Sequence, residues 1–163
     1  MKELISLIES GKFIKGDFKD KEDFFIQIND NLLKEGYVSV NFLEKLLNRE
    51  ITYPTGLQTK SLAVSIPHCE SEYIYKNGIV VAIFNNPVKF NRMDVPEETI
   101  NVKISFILLV KDKEKHLHSL QQLMMLFQSE QLSKIVEVES LEEVLELIKG
   151  VGTKNDKERG DFI

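Results

Sequence analysis

The chain carries a single cysteine, Cys69, in 163 residues. No disulfide within the chain is therefore possible, and a lone thiol fits a reducing compartment. No stretch approaches the roughly 20 apolar residues that a membrane-spanning helix requires. The opening MKELISLIES contains glutamates and lacks the apolar core of a secretory signal. An excess of positive charge is also missing. The formal net charge is −5, which disfavours a general affinity for nucleic acid or anionic membrane. There is no internal repeat, no low-complexity tract and no linker. No glycine loop of the Walker A type is present, so direct use of a nucleotide is not expected. What remains is a cytoplasmic, soluble globular chain. Its 42% hydrophobic and 29% charged residues are ordinary for that class, and its length suits one domain with a sizeable core. The expected division is a domain over 1–150 and a charged, glycine-punctuated, flexible tail over 151–163.

Hydrophobic spacing organises the rest. Residues 1–20 read as short extended or irregular structure, punctuated by Gly11 and Gly16. Asp20 predicts a helix N-cap, because its carboxylate accepts from free amides of the first turn. Phe24, Phe25, Ile28, Leu32 and Leu33 follow at helical spacing, and Gly36 closes the helix in the left-handed conformation. A second helix from Ser39 carries Phe42, Leu43, Leu46 and Leu47. It runs out at Asn48-Arg49-Glu50, which leaves Arg49 in the last turn, where the helix dipole favours a cation. Pro54-Thr55-Gly56 marks a loop. Strands are expected over 62–66, 78–84 and 101–110, with a turn at Pro87, a short edge segment over 88–90 and an acidic loop over 91–99. The apolar run FILLV within the last strand predicts cover on both faces. Beyond it, Leu117, Leu120, Leu123, Met124 and Phe127 line one face of a helix, and Leu132, Ile135 and Val136 suggest a short one. Ser140-Leu141-Glu142-Glu143 is a capping box opening a helix that Gly150 stops. Helices, then strands, then helices predict a single-domain α/β sandwich, a mixed β-sheet flanked by helices.

Only three histidines are present: His68, His116 and His118. His68 stands at a strand end behind Pro67, which fixes its own φ and holds Ile66 extended, so the imidazole is displayed in a restricted way. His116 and His118 are two apart and cannot share a helix face. His116 shares its face with Leu120 and Leu123, toward the core, whereas His118 groups with Gln121 and Gln122 on the wet side. Of the two, His116 is the one that can reach a site at the sheet edge. A zinc site is not expected, because the spacing fits neither a helical HxxxH pair nor a CxxC. Cys69 is followed by Glu-Ser-Glu, which would repel an anion, so it reads as a packed neighbour of His68 and not as a nucleophile.

Two segments at their fitting separation carry a resemblance: Arg49-Glu50, then three residues, then Pro54-Thr55-Gly56-Leu57, and further on Ile66-Pro67-His68-Cys69-Glu70. Over 13–149 the chain resembles the fructose/mannitol-type enzyme IIA domains of the sugar phosphotransferase system, and IPHCE looks most like their galactitol branch. The resemblance implies that His68 is the phosphorylated residue, with His116 as an assisting histidine and Arg49 as the arginine of the site. It implies phospho-HPr as donor and a cysteine of a cognate enzyme IIB as acceptor, with IIC in the membrane and no metal or small cofactor. The sugar implied is galactitol or a related polyol or pentose. A regulatory domain, whose phosphorylated state is the signal, is the other reading it leaves open.

The residues suit such chemistry. A neutral imidazole is nucleophilic near pH 7 and its phosphoramidate is labile enough to pass on. Charge on three phosphoryl oxygens needs donors and a cation. Thr55 offers a hydroxyl, Gly56 an accessible amide, and Arg49 a guanidinium fork. Each has a second reading: Pro54-Thr55-Gly56 as a plain turn, and Arg49 as a helix cap or the partner of a carboxylate. Glu50 either orients Arg49 or is a surface charge.

Overall fold

A computed structural model describes the backbone of residues 1–160 and the side chains of 1–151. The elements run α1 (Lys2–Glu9), β1 (Lys12–Gly16), α2 (Lys21–Lys34), α3 (Phe42–Thr52), β2 (Gly56–Gln58), β3 (Ala63–Ser65), β4 (Gly78–Asn91), β5 (Thr99–Leu109), α4 (Lys113–Phe127), α5 (Gln131–Ile135) and α6 (Leu141–Gly160). The strands form one mixed sheet in the order β1-β4-β5-β3-β2. β4 and β5 are its antiparallel centre, β1 lies parallel to β4, β3 lies parallel to β5, and β2 returns antiparallel on β3.

Both faces of the sheet are covered, as the apolar run predicts. Alternate side chains of the central strands serve opposite layers. Ile79, Val81 and Ile83 join Ile104, Phe106 and Leu108 against α1, α4, α5 and α6. Val80, Ala82 and Phe84 join Ile107 and Leu109 against Phe24, Phe25, Ile28 and Leu32 of α2 and Phe42 and Leu46 of α3. Phe24 meets Phe84 edge-on with ring centroids 5.0 Å apart. Burying one such ring stabilises the fold by about 1.5–3 kcal/mol. The result is an α/β sandwich. No helix among the described residues is long and apolar enough to cross a membrane.

Local signals hold where a side chain enforces them. Asp20 accepts from the amide of Asp23 at 2.8 Å, and Gly36 ends α2 at φ +74°. Ser140 accepts from the Glu143 amide, while the Glu143 carboxylate reaches back to the amide of Glu139. Asp112 caps α4 by accepting from the amides of Glu114 and Lys115.

Several elements differ from the sequence reading. Residues 2–9 are helical, because Leu4, Leu7 and Ile8 make a buried stripe on the first layer; no side chain caps that helix, so its start carries no signal. The second helix begins at Phe42 and extends to Thr52. Gly56 belongs to a strand and not to a loop. A Cβ there would stand 2.5 Å from the Asn91 carbonyl oxygen, so only glycine lets the two backbones approach. The Pro87 turn and the edge segment are instead one strand, β4, whose register shifts between Ile83 and Val88. Pro87, lacking an amide hydrogen, is accommodated at that irregularity. Gly150 does not stop α6, which Val144, Ile148 and Val151 pin to the core at helical spacing. Of the expected tail, 151–160 therefore continues this helix, and 161–163 lies outside the described residues.

Candidate active site

The parallel pairing of β3 with β5 decides what meets what. Both run toward the same end of the sheet: Ser65, the last residue of β3, lies opposite Ser105 of β5, which continues to Leu109, and the two hydroxyls share a buried hydrogen bond of 2.8 Å. The pairing continues one step beyond β3, where the Leu108 amide donates to the Pro67 carbonyl at 3.0 Å. The chain that leaves β3 presents His68, and the chain that leaves β5 turns at Asp112 into α4, which presents His116. The crevice outside the carboxyl ends of adjacent strands is where open α/β sheets place ligands.

The two imidazoles stand edge to face, centroids 4.9 Å apart at 61°. A cavity of about 380 Å³ opens in front of them, lined by Arg49, His68, Cys69, Glu70, Ser71, Val110, Asp112, Lys113 and His116. Arg49 reaches it from the last turn of α3, its Nη1 3.3 Å from Oε1 of Glu70 and its guanidinium 5.4 Å from the Tyr53 ring centre. His68, His116 and Arg49, far apart in sequence, are thus brought together. His118 is exposed, two residues from His116 on the far side of the helix.

The ring of His68 has a fixed orientation. Nδ1 lies 2.8 Å from the Ile66 carbonyl oxygen, which can only accept, so Nδ1 carries the proton and Nε2 keeps its lone pair. Burial holds the His68 pKa below its ordinary value, and the charge of Arg49 adds to that; the Ile66 carbonyl and Glu70 act in the other direction. His116 is lowered as well, by burial first and then by His68 and Arg49. Both rings are therefore neutral near pH 7. The Cys69 thiol is buried, pushed up to about 12 by burial and then by Glu70, so it stays protonated. That is the condition of a packed neighbour, as its acidic flank suggested.

Thr55 and Gly56 are not brought to the cavity. The Thr55 amide and hydroxyl both donate to the carboxylate of Glu50, at 2.9 and 3.0 Å, and Thr55 is 4% exposed. With both donors engaged there, Thr55 has none to offer an anion. Gly56 is buried within β2. Glu50 is neither an orienting partner of Arg49 nor a surface charge. It is 3% exposed and fastens the end of α3 to the Thr55 turn. Leu117, expected on the apolar face of α4, is 55% exposed, because the buried face is centred on Ser119, Leu123, Leu126 and Phe127. Glu70, Asp112 and Lys113 went unassigned as site residues in the sequence. Only the parallel register of β3 and β5 brings the start of α4 to His68, and no local pattern reports that register. Glu70 had a signal, its position two residues after His68.

Residues 8–151 match the family described as the phosphoenolpyruvate-dependent sugar phosphotransferase system, EIIA 2, and the chain belongs to that family. It is 28% identical over 104 residues to the galactitol-specific EIIA component of Escherichia coli K12, covering 64% of this chain and 69% of that protein. It is 26% identical over 136 residues to the mannitol-specific enzyme IIA component of Halalkalibacterium halodurans, covering 81% and 86%. Among solved structures, the Escherichia coli complex of enzyme IIAMTL with phosphorylated enzyme IIBMTL shares the fold, with a TM-score of 0.67, 23% identity and coverage of 86% of this chain and 95% of that one.

Proposed function

We propose, proceeding from membership of the EIIA 2 family, that this protein is the phosphoryl carrier of a sugar-transporting phosphotransferase system. His68 accepts the group from phospho-HPr and yields it to a cysteine of a cognate enzyme IIB. The observation that carries the reading is the hydrogen bond from Nδ1 of His68 to the Ile66 carbonyl. It leaves the lone pair on Nε2, in a ring kept neutral by burial.

In the first transfer the Nε2 lone pair attacks the donor phosphorus. The donor P–N bond breaks, its electron pair returns to the donor imidazole, and a new N–P bond forms at Nε2. The proton on Nδ1 stays in place throughout, so phospho-His68 is an imidazolium that the Ile66 carbonyl stabilises. In the second transfer a cysteine thiolate of the acceptor attacks the same phosphorus, and the N–P pair returns to Nε2 of an imidazole that is again neutral. The same retained proton makes His68 both acceptor and leaving group. Arg49 and His116 line the cavity and take the developing charge on the equatorial oxygens. No metal or small cofactor enters either step.

The galactitol-specific and mannitol-specific relatives support a polyol as the transported sugar, galactitol first, with IIC as the membrane component that carries it. The solved complex of a IIA with a phosphorylated IIB supports an enzyme IIB as the acceptor. Incubation with phosphoenolpyruvate, enzyme I and HPr, followed by candidate IIB proteins, tests the whole reading. Label is expected on wild type, absent from His68→Ala, and discharged onto one IIB. Label that no IIB removes would move the protein to the regulatory reading.

A further inference from the structure

Arg49 is already occupied in the unphosphorylated protein. Its Nη1 lies 3.3 Å from Oε1 of Glu70, and both residues line the cavity in front of His68 and His116. The charged neighbours of that pair include Lys113 and Asp112 on the cavity wall, with Asp112 turned to the amides of Glu114 and Lys115, and Lys45, which lines an adjoining pocket with both partners. Glu70 therefore presents a carboxylate to the guanidinium that the phosphoryl reading assigns to an anion on His68. A carboxylate and a phosphoryl group offer the same paired oxygens to an arginine fork, and two anions beside one arginine repel each other.

We propose that Glu70 is a positioning residue that holds Arg49 in the resting state, and that phosphorylation of His68 transfers Arg49 from the Glu70 carboxylate to a phosphoryl oxygen. The inference rests on the phosphoryl-carrier reading and deepens it. The exchange has two consequences. Arg49 stays at the cavity wall when no phosphoryl group is present, its guanidinium held between the Tyr53 ring and Glu70. The phosphorylated state also forfeits the ion pair, which lowers its stability and favours onward transfer. The pair is half in water, with side-chain exposures of 33% and 50%, so its influence is modest. Exposed pairs of this kind shift an equilibrium by up to about fivefold.

The test is the equilibrium of phosphoryl exchange with phospho-HPr, read as the phosphorylated fraction by intact-protein mass spectrometry. It is measured for wild type, Glu70→Gln, Arg49→Gln and the double variant, each checked for folding by circular dichroism. Glu70→Gln is expected to move the equilibrium toward phospho-His68 by about two- to fivefold, and to move it by less than half as much when Arg49 is also glutamine. Glu70→Asp, which keeps the charge, is expected to lie between wild type and Glu70→Gln. No shift in Glu70→Gln, or an equal shift in both backgrounds, would overturn the exchange. Absence of label on wild-type His68 would instead refute the carrier reading. In that event phosphoramidate serves as donor in the same four-protein comparison, and the same two outcomes still decide the role of Glu70.

Discussion

At position 50 the chain puts a carboxylate where water scarcely reaches it. Burial raises the Glu50 pKa from 4.5 to about 7, and the donors from Thr55 only partly oppose this; Lys21 is the cation that acts on it. Because the folded value lies above the unfolded one, this group's contribution is fully present below about pH 4.5 and is lost as pH rises through about 7. The loss amounts to about 3 kcal/mol at most. Glu50→Gln keeps an acceptor for the Thr55 amide and removes the titration. Urea unfolding of the two proteins between about pH 5 and pH 8 is expected to give a falling stability for wild type and a flatter one for the variant. At the site itself, Cys69→Ser is expected to leave the rate of phosphoryl transfer unchanged within about twofold, since a thiol that ionises near 12 supplies no nucleophile at pH 7. His116→Ala is expected to slow transfer by up to about a hundredfold, with His118→Ala as the unaffected control; stopped quench-flow measurement checks both. At this scale the sequence was legible for the placement of His68, Arg49 and His116 at one cavity, since helix phase and a proline neighbour are local properties. It was not legible for Thr55, whose donors are consumed by a carboxylate five residues away through a turn that spacing alone does not reveal.

Among the helices, side-chain signatures at both ends made the bounds of α2 readable, and the lack of any left α1 unread. α2 has Asp20 at one end and Gly36 at the other. α1 has neither, and exists because Leu4, Leu7 and Ile8 find α4, α6 and β4 to pack on. Leu4→Ala is accordingly expected to cost about 2–5 kcal/mol, seen as a lowered midpoint in thermal unfolding, although α1 is far in sequence from most of that cluster. β2 depends on a close approach and not on propensity. Gly56→Ala would press a methyl group to 2.5 Å from the Asn91 oxygen. A cost of about 1–3 kcal/mol and a fall in Tm of several degrees are expected in calorimetry. An unchanged Tm would mean that β2 and the end of β4 part without strain.

For the molecule as a whole, the continuous apolar run of the last strand foretold a sheet covered on both faces, but not the order β1-β4-β5-β3-β2. That order is what brings the ends of β3 and β5 together and faces His68 with His116. The cavity that receives α3, the β3 exit and the start of α4 is thus a product of topology. Under the proposed function, the Nδ1 proton, held on the Ile66 carbonyl, makes Nε2 of His68 the atom expected to carry the phosphoryl group. The most direct test is phosphorylation by phosphoenolpyruvate, enzyme I and HPr, with the product mapped by tandem mass spectrometry and its ring nitrogen assigned by phosphorus–nitrogen correlation NMR. The account predicts one acid-labile phosphoryl group, on Nε2 of His68, absent from a folded His68→Ala variant. A phosphoryl group on Nδ1, or on any other residue, would contradict it.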